Sequence, residues 1–471
     1  MSLSSISFVF GALPLFLILY FCLQPKYRMY SLLIFSGWFY YVNDPARLIF
    51  LVALIIANYV LSLIISRSNT LLSKICLLVG ILGNVGVLFL YKYLTFSINI
   101  SNQLFNTHFQ TKERTLMVGL SFFVFGLISY LIDVYRKTTN ISFNIAKFAT
   151  YVLMFPKIIM GPIIRYRDIE GDLDNPQIKA EDIGTGAKRF MEGFFKKIII
   201  ADNLALLVSE INSIESVSQA TVVTLWIGSI AYSLQLFFDF SGYSDMAIGI
   251  ARMLGLHFKE NFNYPYICKN FTDFWRRWHI SLSEWFRDYI YIPLGGSRKS
   301  FVRNLFNLFV VWLLTGIWHG AGYNFIAWGL IYFVMLIIER YIIKPKELRK
   351  ASSILWRITT LLIVNFNWVL FSHPSIKTGI SYCLGMLGIY YKNPITAPSD
   401  IRLLREYGLY ILLGIIFSMP IAQKIKKSTS NNETIKNFTV ICMPVIYLII
   451  FIWALSFAIL GYHSPFMYQQ F

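Results

Sequence analysis

Two histidines stand where an imidazole is hard to explain as filler. His319 lies in Gly316-Ile317-Trp318-His319-Gly320-Ala321-Gly322, at the junction of two apolar runs and beside glycines that allow close backbone approach. Imidazole, with an unperturbed pKa of about 6.5, can take a proton from a hydroxyl near neutral pH. The plainer alternative is a neutral histidine bonded to a helix end. His279 belongs to the densest stretch of the chain, Asp273 to Arg298, which holds three tryptophans, four arginines and that one histidine. Trp275, Trp278 and His279 fall at i, i+3 and i+4, a spacing that predicts one helical face carrying all three. The same stretch also fits an interfacial helix, with tryptophan at headgroup depth and arginine on phosphates. His108, His257 and His373 fall in loop, amphipathic and turn contexts, and His463 lies near Tyr468.

These side chains need a scaffold, and the composition says which kind. Of 471 residues 56% are hydrophobic and 14% charged, with mean hydropathy +0.58. A water-soluble fold could not hide that much apolar surface. The predicted fold class is an all-α integral membrane protein. A spanning helix needs about 20 mostly apolar residues. Candidates are Ile6–Cys22, Leu48–Ile65, Ile75–Leu94, Leu116–Tyr135, Ala220–Phe238, Leu305–Ile317, Phe325–Ile338, Ile354–Phe371, Leu409–Ile421 and Phe438–Leu460. Shorter runs at Tyr30–Val42, Phe143–Met160, Phe194–Val208 and Ile380–Tyr391 bring the expectation to roughly 10–13 membrane elements. Two of them contain breaking signals: Pro156 with Gly161-Pro162, and Asp239-Phe240-Ser241-Gly242-Tyr243-Ser244. Irregular backbone at membrane depth survives only when buried or lining a wet cavity, so both predict a central cavity. Asp168–Asp182 reads as an aqueous loop, and no internal repeat is evident.

Charge is lopsided: 42 Lys and Arg against 24 Asp and Glu, a net +18. The cations cluster between apolar runs, as in Lys188-Arg189, Lys196-Lys197 and Lys424-Ile425-Lys426-Lys427. That pattern is the positive-inside bias with anchoring to membrane lipid headgroups, and it argues against nucleic acid. The five cysteines are scattered, and neither a disulfide framework nor a metal site is indicated. No charged n-region precedes the first apolar run, so that run is expected to stay as a membrane helix. With Lys26 and Arg28 after it, the N-terminus is expected outside. Lys424 to Lys436 before the last run place the tail at 461–471 outside as well.

A set of motifs in fixed order resembles the bacterial branch of the membrane-bound O-acyltransferases, which serve alginate O-acetylation, peptidoglycan O-acetylation and teichoic-acid D-alanylation. They are Gly119-Leu120-Ser121-Phe122-Phe123-Val124-Phe125 with Ile132-Asp133-Val134-Tyr135-Arg136, then Phe155-Pro156-Lys157 with Gly161-Pro162-Ile163-Ile164-Arg165-Tyr166. Phe237-Phe238-Asp239-Phe240-Ser241-Gly242-Tyr243-Ser244-Asp245-Met246-Ala247, the tryptophan-rich stretch and Trp318-His319-Gly320 complete the set. Tyr291-Ile292-Pro293-Leu294-Gly295-Gly296 is more similar to the acetylation proteins than to the D-alanylation protein.

The resemblance implies one transmembrane domain over 1–471, a ring of tilted helices around a tunnel joining the membrane faces. It places the family's histidine on His319, as general base, and a second polar position on His279, to orient the acceptor or steady the developing charge. Trp275, Trp278 and Trp318 would line the tunnel. Asp239, Arg287 and Asp288 would brace it or touch substrate, plain structural pairing being the alternative. The ending Phe466-Met467-Tyr468-Gln469-Gln470-Phe471 resembles a motif associated with acyl relay, so Tyr468 would accept the acyl group, an aromatic interfacial anchor being the alternative.

No bound cofactor is implied. The expected donor is acyl-coenzyme A or an acyl-carrier thioester, and the expected partners are a cytoplasmic acyl carrier, an extracytoplasmic transferase or esterase-like protein, and a glycan acceptor. The expected place is the bacterial inner membrane. D-alanyl transfer to teichoic acid is the close alternative. A secondary transporter and a recruiting scaffold are rivals of other classes.

Overall fold

The computed structural model describes residues 1–110, 115–214, 217–345, 347–389, 394–421, 423–424, 433–461 and 466–467. All the regular structure among them is helical. Seven helical stretches are long and apolar enough to cross a membrane: Pro45–Arg67, Thr70–Phe105, Val222–Met253, Phe301–His319, Tyr323–Ile343, Lys350–Ser372 and Cys442–Ile459. Ser7–Cys22 and Leu120–Tyr135 are apolar but shorter. The chain is a multi-pass membrane protein. The remaining expected runs are helical in part: Tyr30–Val42 lies within Pro25–Asn43, Phe143–Met160 holds two short helices, Phe194–Val208 is covered by consecutive helical stretches, and Ile380–Tyr391 is helical to Met386 with its last two residues outside the described ones. Leu409–Ile421 falls largely in Pro398–Phe417, which carries Asp400, Arg402, Arg405 and Glu406 in its first turns.

The chain divides into two compact units. One comprises Met1–Phe190, Ser244–Glu260 and Ser281–Ser297, the other Met191–Tyr243, Asn261–Ile280 and Arg298–Phe471. In chain order the first contributes α1 (Leu13–Cys22), α2 (Pro25–Asn43), α3 (Leu48–Arg67), α4 (Thr70–Leu88), α5 (Leu94–Phe105), α6 (Leu120–Tyr135), α7 (Ile145–Leu153), α8 (Phe155–Ile158) and α9 (Tyr166–Asp174). Then follow α10 (Ala180–Phe195), α11 (Asp202–Asn212), α12 (Val222–Met253), α13 (Phe271–Trp275) and α14 (Ile280–Phe286). The chain closes with α15 (Phe301–His319), α16 (Tyr323–Ile337), α17 (Lys350–Ser372), α18 (Ile376–Met386), α19 (Pro398–Phe417) and α20 (Glu433–Ile459).

In the first unit α3 and α4 present Ile49, Val52, Leu71, Leu78 and Leu82 outward, as lipid-facing helices do, while α6 is buried along nearly its whole length. Between α3 and α4 the amides of Asn58 and Asn84 bond reciprocally, at 3.2 and 2.7 Å, a polar clasp of the kind that joins membrane helices. The break expected at Pro156 to Pro162 is present. After α8 the chain runs without helix to Arg165 and is buried throughout. Its backbone groups find partners: Ile163 N–H donates to Ser281 Oγ at 3.0 Å, and Tyr151 hydroxyl donates to Ile164 C=O at 2.9 Å.

Two expectations fail. The Asp239–Ser244 stretch is no break: α12 passes through it as one 32-residue helix. Gly242 is there for proximity, since a Cβ would sit 2.9 Å from the Gly193 carbonyl oxygen of α10. Nor is Asp168–Asp182 simply a loop, because α9 covers its start and α10 its end. Tyr166, Ile169 and Leu173, spaced by three and four, bury one face of α9, an amphipathic pattern masked by the acidic residues between them.

Candidate active site

His319 is the last residue of α15, ended by Gly320 in extended conformation (φ −170°). Its imidazole is 2% exposed and meets Trp318 (ring centroids 4.9 Å), Trp328 of α16 (4.8 Å) and Phe371 of α17 (5.3 Å). Small residues make this possible. A Cβ at Gly329 would lie 2.5 Å from the Trp312 carbonyl oxygen, and one at Gly316 the same distance from that of Phe325. α15 and α16 therefore touch backbone to backbone, as small-residue seams in membranes allow, and Trp328 is pressed onto the histidine.

His279 is reached differently. The spacing predicts one helix face for Trp275, Trp278 and His279, but α13 ends at Trp275, and His279 sits in a turn with φ +43°, a left-handed conformation unusual for a non-glycine residue. The turn is pinned by main-chain bonds: Asn263 N–H to Arg277 C=O at 2.9 Å and Ile280 N–H to Asn261 C=O at 2.9 Å. The Asn261 side chain meets the ring as well, its Oδ1 lying 3.2 Å from His279 Nδ1. The ring is 1% exposed, with Phe240 of α12 edge-on at 4.6 Å and Trp318 at 6.0 Å. Trp318 thus stands next to both imidazoles.

Trp275 and Trp278 are 9% and 1% exposed, which removes the interfacial-helix reading. Trp275 packs on Trp312 and Tyr332 at 4.8 Å each, and Trp278 on Trp368 at 4.9 Å. With Trp328 they form an aromatic wall behind the histidines. A carboxylate fixes its base. Glu339, 2% exposed, accepts the N–H groups of Phe271 and Thr272 at 2.7 and 3.0 Å and the Thr272 hydroxyl, so it caps α13 where the helix dipole favours negative charge.

Asp239 lies in the same unit, on α12 one residue before Phe240. Its Oδ1 is 2.7 Å from Lys197 Nζ, which also bonds Asp202 at 2.7 Å. All three side chains are 3% exposed or less. Lys197 is therefore no headgroup anchor: it holds two buried carboxylates. Asp239 Oδ2 accepts the N–H of Met467 at 2.8 Å.

Arg287 and Asp288 belong to the other unit and stand in a charged cluster. Asp288 takes Arg287 Nε at 2.6 Å and Arg165 Nη1 at 2.7 Å, with Arg167 at 3.7 Å. Arg167 also approaches Asp133, to which the Tyr289 hydroxyl donates at 2.7 Å. Partial burial pushes the Asp288 carboxyl up, but the Arg287 hydrogen bond and the charges of Arg165, Arg287 and Arg167 outweigh it and hold the group below the usual carboxylate range. Tyr468 and His463 lie outside the described residues.

The spacing of the motifs gives no hint of Trp328, Trp368, Asn261 or Glu339 at this site. Lys197 and Asp202 carry a legible signal, a cation and an anion five residues apart across an apolar run. The arrangement supplies two buried imidazoles in aromatic surroundings, a residue type suited to moving a proton from a hydroxyl.

The sequence matches the profile of the MBOAT, membrane-bound O-acyltransferase family over residues 84–383. It is 36% identical over 450 residues to the probable alginate O-acetylase AlgI of Pseudomonas aeruginosa, covering 92% of this chain and 86% of that one. It is 32% identical over 418 residues to the peptidoglycan O-acetyltransferase of Helicobacter pylori, covering 81% and 79%. Over 265 residues it is 29% identical to the teichoic acid D-alanyltransferase of Bacillus subtilis, covering 54% and 67%. His279 and His319, with the tryptophans around them, fall inside the matched span, and the chain belongs to the membrane-bound O-acyltransferase family as a multi-pass O-acyltransferase.

Proposed function

We propose that this O-acyltransferase takes an acetyl group from a thioester donor on the cytoplasmic side of the bacterial inner membrane and delivers it to a hydroxyl outside, for acetylation of a surface polysaccharide. The observation that carries this reading is His319, a buried imidazole ending a membrane helix inside a tryptophan cage that a second histidine shares. His319 Nδ1 or Nε2 takes the proton as the acceptor oxygen attacks the thioester carbonyl. The C–S bond breaks, and the proton passes to the departing thiolate. His279 orients the acceptor or steadies the carbonyl oxygen as charge develops. Trp275, Trp278 and Trp318 wall the reaction path, while Asp239, Arg287 and Asp288 act through their ion pairs.

A short acyl group crosses an apolar layer far more readily than the charged coenzyme, which is the physical reason for splitting donor and acceptor between two faces. Tyr468 receives the acyl group and hands it to an extracytoplasmic transferase or esterase-like protein acting on the glycan. The termini lie outside, in keeping with Lys26 and Arg28 after the first apolar run. Acetyl rather than D-alanyl is favoured by the longer and closer match to the two O-acetylating relatives.

The test supplies membranes containing the chain with labelled acetyl-coenzyme A, labelled acetyl-carrier protein or a D-alanyl-charged phosphopantetheine carrier, and identifies the ester on surface polymer. Acetyl ester that disappears with the gene supports the reading. D-alanyl ester in its place would replace it.

A further inference from the structure

The Lys197–Asp202–Asp239 cluster has a feature that ion pairing alone does not explain. One lysine faces two carboxylates, all three side chains buried where charge is costly. Part of the compensation comes from far along the chain. Asp239 gives one oxygen to Lys197 and the other to the backbone N–H of Met467, at 2.7 and 2.8 Å. The preceding residue, Phe466, is 1% exposed. Its ring stands over the Lys197 ammonium at 4.4 Å and meets the Tyr243 ring edge-on at 5.1 Å.

The direction of the segment is informative. Phe466 lies at Tyr243 and Met467 one helical turn earlier, at Asp239, so these two residues run antiparallel to α12. Tyr232, Gln235, Asp239 and Tyr243 are spaced by three, four and four residues and so share a face of that helix. Tyr232 Oη and Gln235 Oε1 are buried and have no hydrogen-bond partner among the described residues. The next residue on α12 after Asp239 is Phe240, whose ring packs on His279.

We infer that the Lys197–Asp202–Asp239 cluster is a seat for Phe466 and Met467, and that these three are positioning residues which hold those two residues against α12, beside Phe240, during acyl transfer. Recognition is by a backbone amide on a carboxylate and an aromatic ring on an ammonium. It therefore tolerates changes in the Met467 side chain but requires its N–H. The transfer part of this inference rests on the reading above. The seating part does not.

The experiment compares Met467→Pro, Met467→Leu and Phe466→Ala with the parent in the full chain, purified in nanodiscs. It follows deuterium uptake of the peptide containing residues 466–467, compared over the amides that all the variants share, and, separately, acetyl transfer from labelled acetyl-coenzyme A. Proline removes the backbone donor to Asp239 Oδ2, whereas leucine keeps it. The expected result is faster exchange and a fall in kcat of roughly tenfold or more for the proline and Phe466→Ala variants, with KM for the donor unchanged and the leucine variant like the parent. Unchanged exchange in Met467→Pro overturns the seat. Faster exchange with undiminished kcat overturns its positioning role. A Tyr468→Phe variant that keeps full transfer while Met467→Pro still exchanges fast removes the relay and leaves the seat standing.

Discussion

Two clusters of this protein, one around the histidines and one around Asp288, are built in contrasting ways. Around His319 and His279 the ring neighbours are Trp318, Trp328, Phe371 and Phe240, with Asn261 Oδ1 3.2 Å from His279 Nδ1. Around Asp288 the neighbours are Arg165, Arg167 and Arg287, and charge meets charge at 2.6 to 3.7 Å. An imidazole among aromatic rings is a group able to exchange a proton with a hydroxyl near neutral pH, whereas a carboxylate held below its usual range by surrounding guanidiniums suits bracing. The proposed chemistry draws on the first kind of surround, and the second fits a bracing role.

The comparison breaks most readily at His319. His319→Ala is expected to lower acetyl transfer by about 10²–10⁴-fold, the usual weight of a general base, with little change in the thermal unfolding of the purified protein. If the variant kept its rate, the two clusters would not differ in chemistry. Next in size is the wall. Trp328→Ala opens a cavity beneath both His319 and Trp368, and a loss of about 3–5 kcal/mol of stability is expected, read as a lowered unfolding midpoint.

A smaller effect tests the strained turn. At φ +43° a β-branched residue is disfavoured by about 1–3 kcal/mol, so His279→Val lowers the midpoint more than His279→Asn, although both lose the imidazole. Equal midpoints would show that the backbone there is not under constraint. The smallest effect belongs to the charged cluster and depends on pH. Because the Asp288 carboxyl is held below its ordinary value of about 3.9, its contribution to stability is complete above that pH and is lost as pH falls through the lower folded value. Asp288→Asn is therefore expected to flatten the acid limb of the unfolding-midpoint profile below about pH 4 and to leave the shape of the profile near neutrality as it was. An unchanged acid limb would show that the carboxylate is not specifically stabilised in the fold.

Much of this was legible in the residues. Apolar runs of spanning length located the membrane helices, because lipid imposes a length that composition must meet. The placement of His319 between two such runs, beside Gly316 and Gly320, pointed to the buried helix end that the structure shows. What stayed hidden is contact information. Asp239-Phe240-Ser241-Gly242 looks like a break until Lys197 is seen to neutralise the aspartate and Gly193 to need the missing Cβ of Gly242. Trp275, Trp278 and His279 have helical spacing, but the main-chain bonds from Asn261 and Asn263 end the helix early, and partners more than a dozen residues away leave no local trace. Lys197 looked like one more loop cation because charge counting cannot tell a headgroup ligand from a buried pair.

The most direct test of the account reconstitutes the purified chain in sealed vesicles, with labelled acetyl-coenzyme A on one side only, and follows ester formation on the other in parent and His319→Ala proteins at matched incorporation. The account predicts label on the far side with the parent and a loss of about 10²-fold or more in the variant. Equal far-side ester with both proteins would contradict it.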